Sequence, residues 1–129
     1  MFAWIKYDRY DSETMRFSKA VRDKGVDVAI TEFENALKSG GISENSINSA
    51  GYRLLSKKQT ADAIRIFGLN VELHPQSPNV YDSLGEAYME AGDKARATKN
   101  YQKSLALDPK NRNAVERLAE LKGDQARND

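Results

Sequence analysis

The stretch Pro78–Asn111, "PNVYDSLGEAYMEAGDKARATKNYQKSLALDPKN", contains two amphipathic runs separated by the turn-forming triplet "AGD" at 91–93. In each run, apolar residues recur at steps of three and four, which places them on one face of an α-helix. Gly92 is expected to end the first helix and Asp93 to cap the second. Asp108-Pro109 is expected to end the second helix, because a residue before proline disfavours the helical conformation. The stretch therefore predicts a pair of helices joined by a tight turn.

The same pattern occurs one unit earlier in the chain. Moving the sequence by 34 residues superposes identical residues, among them Asn45 on Asn79, Gly51 on Gly85, Ala63 on Ala97, Leu73 on Leu107 and Pro75 on Pro109. Residues 44–77 are therefore predicted to form another helical pair, followed by the pair at 78–111. The turn of the earlier pair, "SKKQTADA" at 56–63, contains no glycine. We expect it to be less ideal, with Thr60 as the cap of its second helix.

The flanking segments carry weaker versions of this pattern. Residues 11–43 are predicted to form a degenerate leading helix pair, with Ser12 as its first cap and Gly40-Gly41 in place of the closing proline. Residues 112–123 are predicted to form a polar helix that caps the C-terminal end, and 124–129 a disordered tail. The expected total is about seven helices, near the minimum for a stable repeat array.

The aromatic N-terminal segment, residues 1–10 "MFAWIKYDRY", carries more large apolar side chains than a free tail normally does. They are Phe2, Trp4, Ile5, Tyr7 and Tyr10. We expect this segment to pack over the first helices as a hydrophobic lid. The alternative is that it docks on a second copy of the chain and produces a homodimer.

Composition restricts the function classes. The 129 residues are about one domain's length, and 20 basic against 19 acidic residues give a net charge of +1, so the overall balance does not indicate a nucleic-acid partner. There is no cysteine and one histidine, His74, which leaves little for metal binding or acid–base chemistry. Charges interrupt the apolar N-terminus and no segment approaches transmembrane length, so we expect a cytoplasmic protein without a membrane partner or cofactor.

The 34-residue units resemble the tetratricopeptide repeat family. The family pattern is met by seven residues of the later unit: Tyr81, Leu84, Gly85, Tyr88, Ala97, Tyr101 and Pro109. The resemblance implies an all-α fold, a superhelix of antiparallel helix pairs. It also implies a non-enzymatic scaffold that binds a peptide or protein segment in the concave groove of the superhelix.

A second resemblance covers residues 24–121, from "KGVDVAI" through "ADAIRIFGLNVELHP" to "NYQKSLALDPKN". This string is similar to the helical repeat extension of bacterial serine hydrolases related to β-lactamases. The catalytic domain of that family needs Ser-x-x-Lys, and no serine here is followed by lysine at that spacing. Ser43-Glu44-Asn45 matches a secondary element of those enzymes but is expected to be a helix cap. The alternative function is therefore a regulatory or oligomerising module of such a hydrolase, without catalytic residues of its own.

In the tetratricopeptide family, fixed positions of the first helix of each pair line the groove. The resemblance assigns fourteen residues to such positions here: Asn45, Asn48, Ser49, Tyr52, Asn79, Asp82, Ser83, Glu86, Met89, Glu90, Asn113, Glu116, Arg117 and Glu120. Four residues of the helix at 79–90 are expected to pack into the interior instead, namely Tyr81, Leu84, Gly85 and Tyr88.

The charges at these positions indicate what the groove would bind. Family members that clamp the carboxyl terminus of chaperones use lysine, asparagine and arginine at positions that here read Asn48, Tyr52, Ser83, Asn113 and Arg117. Because only Arg117 agrees in kind, we do not expect that mode of recognition. The groove is acidic toward its C-terminal end, whereas four cations of the neighbouring helix are expected to face outward: Lys94, Arg96, Lys99 and Lys103. We expect a basic or amide-rich peptide; the alternative is that these charges only keep the protein soluble.

The sequence "DSLGE" at 82–86 also raises the question of catalysis. A serine nucleophile requires a base within hydrogen-bond reach, and His74 is expected at the surface, at the far end of the preceding helix. Two nearby carboxylates on an exposed helix usually form a solvated face, not a glycosidase acid and base. We therefore predict that the chain is not an enzyme.

Overall fold

The computed structural model describes the backbone of residues 2–128 and the side chains of residues 13–124. This part of the chain forms eight α-helices and no strand: α1 (Phe2–Lys24), α2 (Val26–Glu32), α3 (Glu34–Ser39), α4 (Glu44–Ser56), α5 (Thr60–Leu73), α6 (Pro78–Glu90), α7 (Lys94–Leu107) and α8 (Arg112–Asn128). The expectation of an all-α fold with about seven helices is confirmed. The eighth helix arises because the segment read as one helix bends at Phe33, whose φ of −107° departs from helical values.

The helices pack as consecutive pairs. α4 lies against α5 and α6 against α7, while α5 contacts α6 and α7 contacts α8, so each pair stacks on the next. The first helices of the two pairs, α4 and α6, also touch each other. This consecutive stacking is typical of helical repeat arrays, in which each unit buries its apolar face against a neighbour.

Two glycines let the helices of each pair approach closely. A Cβ at Gly51 would overlap the ring of Phe67, and a Cβ at Gly85 would lie 3.1 Å from the ring of Tyr101. Phe67 and Tyr101 are both fully buried and stand 34 residues apart, as the two glycines do. The repeat therefore preserves a glycine–aromatic contact as its packing unit.

A second pair of equivalent residues ties each second helix to the start of its own first helix. The Asn70 side-chain amide donates a hydrogen bond to the Glu44 carbonyl at 3.1 Å. At the position 34 residues later, the Ser104 hydroxyl donates to the Pro78 carbonyl at 2.8 Å. Both side chains are fully buried. These polar residues interrupt the apolar stripes, and sequence reasoning did not single them out.

The turns of the two pairs differ as expected in glycine content. Gly92 ends α6 with φ of 79°, and the Asp93 side chain accepts a hydrogen bond from the Arg96 N–H at 3.1 Å, so both predicted roles are confirmed. In the earlier pair the left-handed position is taken by Lys58, with φ of 64°. Thr60 is not the cap: it is the first residue of α5, and Gln59 before it makes no side-chain cap hydrogen bond. That turn is indeed the less ideal one.

Other predicted ends are also observed. α5 stops at Leu73 before Pro75, α7 stops at Leu107 before Pro109, and Gly40 ends α3 in a left-handed conformation. The Ser43 hydroxyl caps α4 by accepting from the Ser46 N–H at 3.1 Å, as expected for a cap.

The two chain ends differ from the boundaries expected. α1 begins at Phe2, so Ser12 lies inside a continuous helix and is not its N-cap. α8 continues to Asn128, past the expected end at residue 123, so the backbone is helical over most of the segment expected to be a disordered tail. The side chains of residues 1–10, on which the choice between lid and dimer depends, lie outside the described residues.

Candidate functional site

The candidate site is the surface formed by α4, α6 and α8, which we call the groove. Three side-chain hydrogen bonds connect these helices across it. The Tyr52 hydroxyl donates to Glu86 Oε2 at 2.7 Å, and the Ser83 hydroxyl donates to Asn48 Oδ1 at 2.6 Å. The Asn113 amide donates to Asp82 Oδ1 at 2.7 Å. Residues from successive first helices therefore hold one another in place along the groove.

Thirteen of the fourteen residues assigned to the groove from the sequence are exposed or half-buried. The exposed residues are Asn45, Ser49, Tyr52, Asn79, Glu90, Asn113, Glu116 and Glu120. The half-buried residues are Asn48, Asp82, Glu86, Met89 and Arg117. The exception is Ser83, which is only 1% exposed. Its hydroxyl is directed to Asn48 between α4 and α6, so Ser83 is a packing residue and does not line the groove.

Asp82 is held by two asparagines. Its carboxylate accepts from Asn113 and also from the Asn111 amide at 3.1 Å. Asn111 further donates to the Ser104 hydroxyl at 2.8 Å and accepts from the Ala114 N–H at 3.2 Å, which caps α8. Sequence reasoning missed Asn111, although a cap residue just before the helix at 112 was the available signal.

A pocket opens in the groove between α6, α7 and α8. It is lined by Glu86, Met89, Glu90, Tyr101 and Arg117. The Tyr101 hydroxyl is buried and, within the described part of the chain, has no hydrogen-bond partner. Burial raises the pKa of Tyr101 well above its ordinary value, the charges of Asp82 and Glu86 raise it further, and the charge of Arg117 lowers it. Tyr101 thus shares this pocket with the charged residues Glu86, Glu90 and Arg117.

Tyr52 is the second phenol of the groove. Its ring packs edge-on against Phe67, with the ring centroids 5.0 Å apart, and 36% of the residue is exposed. Burial raises the pKa of Tyr52 well above its ordinary value; the hydrogen bond with Ser83 lowers it, and the bond with Glu86 raises it again. Tyr52 therefore stays protonated and serves Glu86 as a donor.

Arg117 is the cation on the wall of this pocket. It is paired with Glu120 one turn later on α8, at 3.1 Å. The hydrogen bond to Glu120 is the main reason why the pKa of Arg117 lies above its ordinary value. Since Arg117 is already neutralised by Glu120, the other acidic residues leave this end of the groove negative.

Comparison with known proteins agrees with this architecture. Residues 78–111 match the family model described as a tetratricopeptide repeat. This chain has a tetratricopeptide repeat fold. The solved first repeat domain of Spaghetti (RPAP3), bound to the HSP90 peptide SRMEEVD, is 20% identical, with 91% of this chain and 93% of that chain covered and a TM-score of 0.65. The first repeat domain of human RPAP3 is 19% identical, with 92% and 94% covered and a TM-score of 0.66.

A curated relative is the Hsp70-Hsp90 organizing protein of Triticum aestivum. The two sequences are 32% identical over 94 residues, which cover 73% of this chain and 16% of that protein. The tetratricopeptide array described here therefore corresponds to a small part of that relative.

The outer face of the tetratricopeptide array carries the cations expected there. Lys94, Arg96, Lys99 and Lys103 are all exposed on α7. Arg96 lies 6.0 Å from the centroid of the Tyr88 ring, and Lys103 lies 5.9 Å from that of Tyr81. Arg96 and Lys103 therefore lie over the rings of the two half-buried tyrosines, on a different helix from the acidic residues of the groove.

The opposite end of the array, between α1 and α4, is basic. A pocket there is lined by Thr14, Met15, Arg16, Ser18, Lys19, Arg22 and Arg53. Four of these seven residues are cations and none is acidic, although Asp23 pairs with Arg22 at 3.1 Å beside it. The array therefore has a basic pocket between α1 and α4, whereas its acidic groove residues lie on α6 and α8.

The residues considered for catalysis are not assembled. His74 is the C-cap of α5, as expected for a helix-end residue, and its Nδ1 lies 4.0 Å from Glu44 Oε1. The only serine bonded to His74 in the described part of the chain is Ser77, whose backbone N–H donates to the His74 carbonyl at 3.1 Å, while the imidazole Nε2 has no hydrogen-bond partner there. No group of three or more potential metal ligands is present in that part of the chain. Within the same residues, no helix has the length and apolar character needed to cross a membrane.

Proposed function

We propose that this chain is a non-enzymatic scaffold that binds a peptide or protein segment in the groove. The observation that carries the proposal is the pocket between α6, α7 and α8, which opens on the groove and combines two carboxylates, an arginine and a buried hydroxyl without a partner. The cross-helix hydrogen bonds hold these walls before any ligand arrives, which reduces the ordering cost of binding. The Spaghetti domain, which has the same fold, was solved with a peptide bound, and this supports the proposal.

The partner segment is basic where it crosses α6 and α8. Five carboxylates of the groove lie on these two helices: Asp82, Glu86, Glu90, Glu116 and Glu120. The single cation among the groove residues there is Arg117, and it is paired with Glu120. Opposite charges across an interface increase the association rate and suppress wrong partners, so an acidic segment is disfavoured here.

The positions that clamp chaperone carboxyl termini in the family support this choice. Here Asn48 is bonded to Ser83, Tyr52 to Glu86 and Asn113 to Asp82. These groups would have to leave partners within the chain to hold a carboxylate. The peptide SRMEEVD of the Spaghetti structure has three acidic residues, which would meet the negative end of this groove.

A pair of labelled peptides tests the proposal directly. The acidic probe is SRMEEVD and the basic probe is its charge-reversed counterpart SRMKKVK. By fluorescence anisotropy at low salt we expect the basic probe to bind at least about tenfold more tightly than the acidic probe, because each carboxylate of the groove attracts its positive charges. Salt weakens this attraction, since at about 0.1 M it screens exposed charges that are more than about 10 Å apart. Raising the salt to a moderate concentration should reduce the difference.

Matched variants locate the binding surface. Glu86→Gln combined with Glu90→Gln should remove most of the preference for the basic probe. Lys99→Gln, on the outer face of α7, should leave it unchanged. Equal affinity for both probes, or binding of neither, would contradict a groove that selects basic segments.

A second candidate function is a module that acts on a serine hydrolase in trans. It is carried by the resemblance of residues 24–121 to the repeat extension of such enzymes and by the lack of Ser-x-x-Lys in this chain. Affinity capture from the native cell with mass spectrometry tests it. Recovery of a serine hydrolase by the wild-type chain but not by the Glu86→Gln/Glu90→Gln variant supports it, and recovery of unrelated partners argues against it.

The two arrangements expected for residues 1–10 differ in the oligomeric state that they imply. We propose that they form a lid over the first helices, with a homodimer as the alternative. Deleting residues 1–10 and measuring the mass by light scattering separates the two. A monomer before and after the deletion, with a lower melting temperature, supports the lid, whereas a dimer that becomes a monomer supports docking on a second copy.

A further inference from the structure

The Tyr101 hydroxyl is the starting point, because it is a buried donor whose hydrogen bond is not made within the described chain. Tyr101 is 0% exposed and belongs to the wall of the pocket between α6, α7 and α8. A buried polar group without a partner is costly and calls for an explanation. Phe67, at the equivalent position of the preceding unit, packs in the same way without a hydroxyl. Packing therefore does not require the hydroxyl of Tyr101.

The other residues of the pocket show which hydrogen-bonding groups a ligand has to supply. Glu86 and Glu90 supply carboxylate oxygens, which accept hydrogen bonds. Tyr101 supplies a donor, and Arg117 adds a guanidinium that is partly occupied by Glu120. Met89 supplies a flexible apolar wall. A ligand group that satisfies this pocket must accept a hydrogen bond at one atom and donate one at a neighbouring atom.

We propose that this pocket is a subsite for a carboxamide side chain, glutamine or asparagine, of the segment bound in the groove. The carboxamide oxygen accepts from the Tyr101 hydroxyl, and its NH₂ group donates to Glu86 or Glu90. The inference rests on the proposed function, since it names the side chain that the groove selects at one position.

Other side chains of the bound segment cannot make both kinds of hydrogen bond that the pocket offers. A lysine donates to the carboxylates but leaves the Tyr101 hydroxyl unpaired. A glutamate could accept from Tyr101 but would place a third negative charge beside Glu86 and Glu90. A leucine offers neither bond and would bury all of these groups against carbon. A site built around paired hydrogen bonds therefore discriminates against side chains that lack one of them.

The test uses a labelled basic host peptide, acetyl-KKAXAKK-amide, in which X is Gln, Lys, Glu or Leu. With the wild-type chain we expect the Gln peptide to bind about five- to tenfold more tightly than the Leu or Lys peptide, the range that one or two net hydrogen bonds provide. Tyr101→Phe should abolish this preference by weakening the binding of the Gln peptide. The Lys and Leu peptides should bind both chains equally.

Tyr81→Phe is the matched control, because the Tyr81 hydroxyl already donates to the Pro75 carbonyl at 2.8 Å and does not line the pocket. It should lower the melting temperature and leave the preference for Gln intact. Tyr101→Phe should leave the melting temperature unchanged or higher, because it removes an unpaired buried group.

The outcomes distinguish the proposed binding of peptides in the groove from the proposed carboxamide subsite. If no host peptide binds, the proposed function fails, and this inference fails with it. If the host peptides bind with no preference for Gln, or if Tyr101→Phe retains that preference, the groove binds peptides but the carboxamide subsite is wrong.

Discussion

The two 34-residue units, 44–77 and 78–111, share the contacts that build the repeat and differ at several positions that face the groove or the turn. Gly51 and Gly85 both face a buried aromatic ring, and Asn70 and Ser104 both bond the start of their own first helix. In contrast, Tyr52 is replaced by Glu86, and Phe67 by Tyr101. The shared positions maintain the fold, while the replaced ones place the Glu86 carboxylate and the Tyr101 side chain in the wall of the pocket between α6, α7 and α8.

The closest glycine–aromatic contact gives the largest expected effect. Gly51→Ala should lower the free energy of unfolding by about 2–3 kcal/mol, because its Cβ would overlap the Phe67 ring and force α4 away from α5. Gly85→Ala should cost less, about 1 kcal/mol, because its Cβ would lie 3.1 Å from the Tyr101 ring, and higher helix propensity offsets part of the strain. Urea unfolding followed by circular dichroism measures both.

Gly68→Ala is the control for these two variants. Gly68 lies inside α5, and nothing is within 4 Å of the position of a Cβ there, so alanine should stabilise the chain by about 0.5–1 kcal/mol. A loss of stability at Gly68 equal to that at Gly51 would show that the close packing is not the cause.

The next largest effects are expected at Ser104 and Asn70, the buried polar side chains that bond the start of their own first helix. Ser104→Ala should destabilise the chain by about 1–2 kcal/mol, since it leaves the Pro78 carbonyl without this donor and Asn111 without one acceptor. Asn70→Ala should cost a similar amount through the Glu44 carbonyl. Thr98→Val, which removes an exposed hydroxyl bonded to the Lys94 carbonyl, is the control and should change little. If all three variants unfolded at the same urea concentration, the hydrogen bonds of Ser104 and Asn70 would not stabilise the fold as proposed.

The residue with a left-handed backbone in each turn can be replaced, with glycine at position 58 and with alanine at position 92. Lys58 has a left-handed φ of 64°, which a side chain adopts only at a cost, so Lys58→Gly should stabilise the chain by up to about 1 kcal/mol. Gly92→Ala should have the opposite sign and a similar size, because it places a Cβ at φ of 79°. Thermal melts of the two variants would refute this reading if they shifted in the same direction.

The helix caps give the smallest effect. Gln59 and Asp93 are equivalent positions, but only Asp93 caps its helix with a side chain. Gln59→Asp should therefore stabilise the chain by about 0.5–1 kcal/mol. The hydrogen bond from the Arg96 N–H is the main reason why the pKa of Asp93 is below its ordinary value. The stability that this bond contributes is present above the unfolded pKa and is lost as the pH falls through the folded one.

Asp93→Asn tests that pH dependence. The difference in melting temperature between wild type and this variant should shrink as the pH is lowered from neutral into the acidic range. A difference that stays constant with pH would contradict the role of the Asp93 carboxylate as a charged cap.

The 34-residue periodicity was sufficient to locate α4 to α7 and most of their ends and to place Gly51 and Gly85 at equivalent positions, but it assigned the cap of α5 to Thr60, which is the first residue of that helix. It could not show that Ser83 turns toward Asn48, because periodicity gives the register of a residue on its helix but not which neighbour it meets. The same limit applies to Tyr101, which the apolar stripe placed in the core without indicating that its hydroxyl would lack a partner. The bend at Phe33 was equally hidden, since the spacing of apolar residues continues through it.

Chemical-shift mapping tests the proposed groove most directly. Titrating the ¹⁵N-labelled chain with SRMKKVK should shift the backbone amides of α6 and α8 around Glu86, Glu90 and Arg117, and leave those of the exposed face of α7 around Lys99 unchanged. SRMEEVD at the same concentrations should not shift the first set. Shifts confined to α7, or the same α6 and α8 shifts with both peptides, would contradict an acidic groove that selects a basic segment.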